Sequence, residues 1–425
     1  MPVLQHIDAG DTAWVLICTA LVLFMTPGLA LFYGGMVRSK NVLNILMQNV
    51  ICIAVVSVTW ALVGYSLAFG PDHLGGLLGN LRLAGLAHGS EPVAGLHLSI
   101  PPLAFAAFQM MFAVITTALI SGATADRLKF GSFVVFATAW SVVVYAPVAH
   151  WVFAPSGWLA QLGVLDFAGG NVVEINCGAA GLALAVVAGR RRGWPREAMH
   201  PHNLPLTMVG AGILWFGWFG FNAGSALAAD GLAVQALVST HLAGCGGLLA
   251  WVAFEKWRTG SATSLGAASG AVSGLVAVTP AAGFVSPLSG LLIGVLAGTA
   301  CVCAVQLKYR FGFDDSLDVV GVHFIGGVVG TLLVGVLASA AVNGAVHHQG
   351  LLYGGGVWLL GRQALAVVVT AVFSFGASWV LAHAVRAVMG LRVSEEDEHL
   401  GLDAAIHAES AYDLGSVRGT GMIRA

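Results

Sequence analysis

The chain has 425 residues, 58% of them hydrophobic and only 9% charged, with a formal net charge of −2. Soluble domains carry about 25% charged residues, and a near-neutral chain whose basic residues are scattered over short loops lacks the footprint of a nucleic-acid binder. The 57 glycines follow no collagen period and build no disordered linker; they suit closely packed membrane helices, where small residues let backbones approach.

The first twenty residues hold Asp8 and Asp11 and neither a basic leader nor a small-residue cleavage site, so no removable signal peptide is expected. Apolar runs near 20 residues then predict eleven membrane spans, at roughly 12–34, 43–69, 101–124, 130–151, 170–189, 204–227, 234–254, 264–279, 284–306, 319–341 and 354–389. Arg38, Lys40, Arg127, Lys129, Arg190, Arg191, Arg192, Arg196, Lys256, Arg258, Lys308 and Arg310 fall in alternate loops, and Arg386, Arg392, Arg418 and Arg424 belong to the C-terminal side. Only Arg82 and Arg362 fall opposite. The excess of positive charge predicts an N-terminus outside and a C-terminus in the cytoplasm. Residues 1–390 thus read as one transmembrane domain, and the polar stretch 391–425 as a cytoplasmic tail too short for a domain of its own.

All six cysteines lie in apolar spans without a CxxC pair or disulfide-like spacing, and read as ordinary buried thiols. His200 with His202, and His347 with His348, lack a third ligand nearby, so no metal site is expected. No loop carries a Walker motif or a cofactor fingerprint, so neither ATP use, nor a cofactor, nor an enzyme is indicated.

Spans five and ten contain related stretches, VVEINCGAAG at 172–181 and GVHFIGGVVG at 321–330. Gly178 and Gly181 follow Glu174 by four and seven positions, and Gly327 and Gly330 follow His323 likewise. An ionisable residue at the centre of a membrane helix costs about 2.5–3.5 kcal/mol on insertion scales and faces a partner or a polar pathway. An odd number of spans with matching fifth and tenth members predicts two five-helix repeats of inverted topology plus one extra helix, with a substrate path between the repeats. Nearby, Trp215, Phe216, Trp218, Phe219 and Phe221 precede Asn222 and Ser225, and Phe108 and Phe112 stand four apart in the third span. Aromatic rings so grouped make either a lipid-facing core or a mouth that attracts a cation.

The stretches TPGLALFYGGMVRSKN (26–41), ATADRLKF (123–130), LDFAGGNVV (165–173), PHNLP (201–205), GWFGFNAGSA (217–226), SGAVSGLVAVTPAAGF (269–284), DVVGVH (318–323) and GLDAAIHAESAYD (401–413) resemble, over essentially the full length, the bacterial branch of the ammonium transporter family. The resemblance implies an all-α polytopic fold of eleven transmembrane helices, a narrow pore in each subunit, and a homotrimer in the cytoplasmic membrane. It also implies an outer ammonium site at Phe112, Trp218 and Ser225. The family's second tryptophan at this site is replaced by Phe153 in the run AHWVFAPSGW, with Trp151 and Trp158 as the neighbours that a shift in alignment would bring in. A phenyl gate is implied for Phe108 with Phe221 or Phe112. Asp166 matches a carboxylate just outside the fifth span that supports the outer site, and also reads as a helix-start residue; Asp318 opens DVVGVH as a second supporting carboxylate.

The pore centre departs from the commonest family pattern: a pair of histidines is usual, and here Glu174 takes the first position opposite His323, as in a subset that includes fungal members. An ammonium ion cannot enter an apolar tube unless protein groups replace its water. Deprotonation lets neutral ammonia pass while two adjacent titratable side chains relay the proton and titrate as a pair. An ammonium transporter with this Glu/His relay is therefore expected, the alternative being an ammonium sensor with the same fold and little transport. The tail match implies a regulatory protein of the PII class as a cytoplasmic partner.

Overall fold

The computed structural model describes residues 6–89 and 91–412, so the expectations for Arg418 and Arg424 lie outside the described residues. Helices dominate, and the only β pairings among the described residues are two isolated bridges. Ten helices are long and apolar enough to cross a membrane: α1 (Ala9–Met36), α2 (Ser39–Phe69), α3 (Pro102–Thr124), α4 (Phe130–Gln161), α5 (Gly170–Ala188), α6 (Leu204–Gly224), α7 (Gly231–Thr259), α9 (Pro287–Phe311), α10 (Val320–Leu337) and α11 (Trp358–Met389). Between α7 and α9 stands the shorter apolar α8, Ser264–Val278. Two small helices, α12 (Glu395–Leu400) and α13 (Leu402–His407), follow α11. Apolar side chains such as Val368, Val372, Val380 and Leu249 project from the bundle at 58–68% exposure, which suits a hydrocarbon surround. The protein is a multi-pass membrane protein.

Several helices begin or end away from the predicted limits, because a polar cap decides a terminus that apolarity alone cannot find. Asp8 accepts the Asp11 N–H at 2.9 Å and starts α1 at Ala9. Asp230 accepts from Leu232 and Ala233, adding a turn to the front of α7, which runs on to a left-handed Gly260. In each case a side-chain oxygen satisfies backbone donors that a helix leaves unpaired at its start. α8 has only 15 residues, about 22 Å at the α-helical rise and short of a bilayer's apolar thickness. Residues 279–285 continue its path as turns, fully buried. Irregular backbone is tolerated at membrane depth only inside protein.

Successive helices alternate between two faces. On the first face lie the start of α1, the loop before α3 and the α10–α11 connection; on the second lie the basic loops and the tail. The second face holds a buried charge network. Arg191 grips Asp314 through Nε and Nη2, both at 2.9 Å, and reaches Asp126 at 3.5 Å; Arg38 holds Asp126 at 3.1 Å. Burial pushes the Asp314 carboxyl up, but the Arg191 hydrogen bonds and the charges of Arg127 and Arg191 outweigh it and hold it below its usual range.

The tail docks on this network. The Asp403 carboxylate, 2% exposed, accepts the Leu43 and Asn44 N–H groups at 3.0 and 2.9 Å, where α2 becomes α-helical. Glu398 pairs with Arg392 at 2.6 Å and accepts the Arg192 N–H at 2.7 Å, while the Leu402 N–H reaches Asn41. His202 bonds the Val37 carbonyl and the Tyr412 hydroxyl. The tail from Leu391 to Tyr412 is thus folded onto the bundle; its few apolar residues hid this, since docking rests on charged groups at backbone termini. Asp403→Ala removes an anion from a helix start, at a cost of about 1 kcal/mol or more. Limited proteolysis should then cut the tail faster than in the parent, and equal rates would show that Asp403 does not fasten it.

The cysteines are free, and Cys18, Cys52, Cys177 and Cys301 are buried as expected; Cys245 is half-buried and Cys303 exposed, because an apolar span also has a face that turns outward from the bundle.

Candidate functional site

Helices α5 and α10 cross at the centre of the bundle, and two glycines permit it. A Cβ on Gly178 would sit 2.5 Å from the Phe324 Cβ, and one on Gly327 would sit 2.8 Å from the Glu174 Cβ. The glycine four places after each ionisable residue therefore receives the other repeat's ionisable turn. Those turns are π-helical, Gly170–Ile175 around Glu174 and Val320–Phe324 around His323. A π-turn offsets the side chain from the regular helix face and recurs at functional sites.

The crossing brings His323 Nδ1 to 2.7 Å from Glu174 Oε2. Both residues are buried, and among the described residues Glu174 Oε1 has no hydrogen-bond partner. Cys177 lies beside them, so that one carboxylate, one thiol and one imidazole hold their donor atoms within 4.8 Å of one another, a set able to hold a metal. The Cys177 thiol faces the Glu174 carbonyl at 3.4 Å.

Matching carboxylates hold the two turns. Asp166 accepts the N–H groups of Gly169, Gly170 and Asn171 at 2.6–2.8 Å. Asp315 does the same for Val319 and Val320 at 3.1 and 2.8 Å. Each stands eight residues before its ionisable partner, Asp166 before Glu174 and Asp315 before His323. The next residue repeats the pattern: the Phe167 N–H bonds Pro280 at the irregular end of α8, and the Ser316 N–H bonds Ala123 in the last turn of α3. Asp315, not Asp318, is thus the counterpart of Asp166. The equal spacing was the signal for it, overlooked because DVVGVH begins three residues later. Asp318 instead has φ of 62° and pairs with Lys308 at 2.6 Å at the second-face end. Burial raises both helix-start carboxyls: Asp166 moves up against its three backbone hydrogen bonds, and Asp315, with Asp318 adding to burial, is pushed up to about 6.

A narrow cavity reaches Glu174 and His323 between Leu29, Phe32, Ile115, Val173, Trp218 and Phe221. By the room it leaves a water-sized sphere it measures about 10 Å³, the space of about one small molecule. Toward the first face Phe112 and Phe221 close it, their ring centroids 4.2 Å apart and tilted by 35°. Phe108 packs behind Phe112 at 4.9 Å with an edge-on ring and lines neither the cavity nor the vestibule beyond it, whereas Phe221 borders the one and Phe112 the other. Beyond them lies a vestibule of about 100 Å³ lined by Phe105, Gln109, Phe112, Phe153, Phe167 and Ser225.

Three of the four expected outer-site residues, Phe112, Phe153 and Ser225, meet in this vestibule. Trp218 does not join them. It lines the inner cavity below Phe221, its indole N–H bonded to Thr279 Oγ1 at 2.9 Å. Four residues separate Trp218 from Asn222 and seven from Ser225, so it stands two turns deeper on the same helix. Of the alternatives to Phe153, Trp151 bonds the Leu77 carbonyl and Trp158 packs against Trp151; neither lines the vestibule.

Comparison with known proteins gives one family. The model of the Ammonium Transporter Family matches residues 13–412. A Mycobacterium tuberculosis H37Rv protein named ammonium transporter is 51% identical over a 446-position alignment covering 99% of this chain and 93% of that protein. A Bacillus subtilis 168 protein of the same name is 48% identical over 404 positions, covering 95% and 98%. Among solved structures, Saccharomyces cerevisiae Mep2 superposes with a TM-score of 0.87 at 34% identity, covering 99% of this chain and 95% of that one. A structure described as a sensor Amt protein gives 0.86 at 29% identity, covering 93% and 98%.

Proposed function

The chain belongs to the Ammonium Transporter Family, and from that premise we propose that it moves ammonium nitrogen through the cavity at Glu174 and His323, with the proton relayed by that pair. The observation that carries this reading is the direct 2.7 Å hydrogen bond between the two side chains in an otherwise apolar cavity. In the vestibule a cation meets the faces of Phe112 and Phe153 and the Ser225 hydroxyl, which replace part of its water. Passing the Phe112–Phe221 pair strips the rest, a step too costly for a bare ion without polar replacements. Ammonia, being neutral, continues past Trp218. The released proton is taken up by the Glu174–His323 pair, which passes from one net negative charge to neutral with a shared proton, and resets when it gives that proton up toward the second face. The unpaired Glu174 Oε1 supplies the free acceptor that such a relay requires.

The wider reading follows the same premise. The chain crosses the cytoplasmic membrane eleven times, α8 and residues 279–285 completing one passage, as two inverted five-helix repeats plus α11. The first face is extracellular and the second cytoplasmic, which agrees with the basic residues gathered there. The active unit is a homotrimer with one pore per subunit. The folded tail serves as a regulatory element that a PII-type protein reads from the cytoplasm.

The vestibule and the inner cavity make separable contributions. Phe153→Leu removes one cation–π face, worth about 0.5–2 kcal/mol, and should raise the apparent KM for ammonium about two- to thirtyfold. Trp218→Leu should lower the maximal rate and leave that constant near the parent's. Ammonium uptake measured across concentrations distinguishes the two; an unaltered concentration dependence in Phe153→Leu would show that the vestibule does not recruit the ion.

A further inference from the structure

On the first face a cavity of about 300 Å³ opens between Gln161, Leu162, His347, His348, Trp358 and Arg362. Among the described residues no carboxylate lines it. Asp166, close by in sequence, is occupied by the backbone of Gly169, Gly170 and Asn171. Among the described residues this face has two strong cations. Arg82 pairs with Glu91 at 2.7 Å, whereas Arg362 has no acidic partner among the described residues.

Arg362 is nonetheless held in place. Its guanidinium lies 4.2 Å from the Trp358 ring centroid, and Nη1 donates to the Leu162 carbonyl at 2.5 Å. Among the described residues Nε and Nη2 have no protein acceptor. His348 packs on the same indole at 3.7 Å between ring centroids. Gly163, at φ of 78°, leaves the space that the indole fills, since a Cβ there would meet Trp358 at 3.1 Å. The result is a half-buried guanidinium fork fixed over an aromatic ring, two histidines beside it, and a free pair of donors.

We propose that this cavity binds the phosphodiester of an anionic phospholipid in the leaflet at the first face. A planar guanidinium with two free donors matches a phosphate's paired oxygens, and basic pockets between membrane helices take lipid head groups. Lipid is favoured over free phosphate by the surroundings: Leu351, Leu352, Tyr353 and Val357, next to the cavity, are 41–70% exposed apolar or aromatic side chains. They provide a surface for acyl chains at the level where tryptophan and tyrosine anchor helices in the interface.

The test is native mass spectrometry of the delipidated full-length protein titrated with phosphatidylglycerol, phosphatidylcholine or inorganic phosphate. The parent should bind one more phosphatidylglycerol per subunit than Arg362→Gln, about tenfold tighter, the scale of one lost charge-assisted hydrogen bond. Arg82→Gln should match the parent, and Arg362→Lys should recover part of the loss. Parent-like binding by Arg362→Gln, equal affinity for phosphatidylcholine, or equally effective occupation by inorganic phosphate would each overturn the assignment. Ammonium transport is not the readout, so this result stands or falls apart from the pore mechanism.

Discussion

Replacing Glu174 by Leu should reduce the ammonium-driven current by at least about a hundredfold, the lower range for loss of a positioned proton-transfer group. The substitution removes the acceptor 2.7 Å from His323 Nδ1 and leaves the imidazole facing an apolar cavity. An unsatisfied buried donor costs about 1–3 kcal/mol, so the variant should be less stable as well as less active. Two further variants separate these effects. Glu174→Gln keeps a hydrogen-bond acceptor without the charge, and should restore stability more than current. Glu174→His keeps a titratable partner for His323, and should retain transport with a displaced pH profile. Current and pH dependence in Glu174→Leu equal to the parent's would make the glutamate structural.

A comparable loss is expected from Gly178→Ala, at a residue that bears no functional group. The added Cβ would lie 2.5 Å from the Phe324 Cβ and 2.7 Å from its Cα. Backbone on the receiving side cannot rotate away, so the two helices must separate at the point that sets the Glu174–His323 distance. Overpacking of this kind costs about 1–3 kcal/mol, and thermal unfolding should show it together with a fall in ammonium flux. Gly376→Ala is the control: nothing lies within 4 Å of its Cβ position in mid-helix α11, so the gain in helix propensity, up to about 1 kcal/mol, should leave function intact. A Gly178→Ala protein as stable and active as the parent would contradict a backbone-limited crossing.

Much of this arrangement was legible because membrane constraints leave few solutions. Span positions follow from apolar length, and the repeat follows from two ionisable residues each succeeded by glycine at four and seven. The sequence could not show that these glycines pack reciprocally, each against the other repeat's ionisable turn, because that depends on the crossing itself. Trp218 was misplaced for a related reason. Residue type and neighbourhood make it an outer aromatic, but depth along α6 puts it two turns inside Ser225. Asp315 was overlooked through attention to the motif edge at Asp318, although its spacing from His323 equals that of Asp166 from Glu174. The tail's docking had no apolar period to announce it, because its anchoring groups bind backbone termini.

Charge movement by the purified protein in liposomes under an ammonium gradient tests the central claim most directly. An inward ammonium gradient should drive a transient inward current that sodium or potassium at the same concentration does not, and that fades in Glu174→Leu. A protein that binds ammonium yet passes neither current nor ammonia under that gradient would contradict the account and leave a sensor in its place.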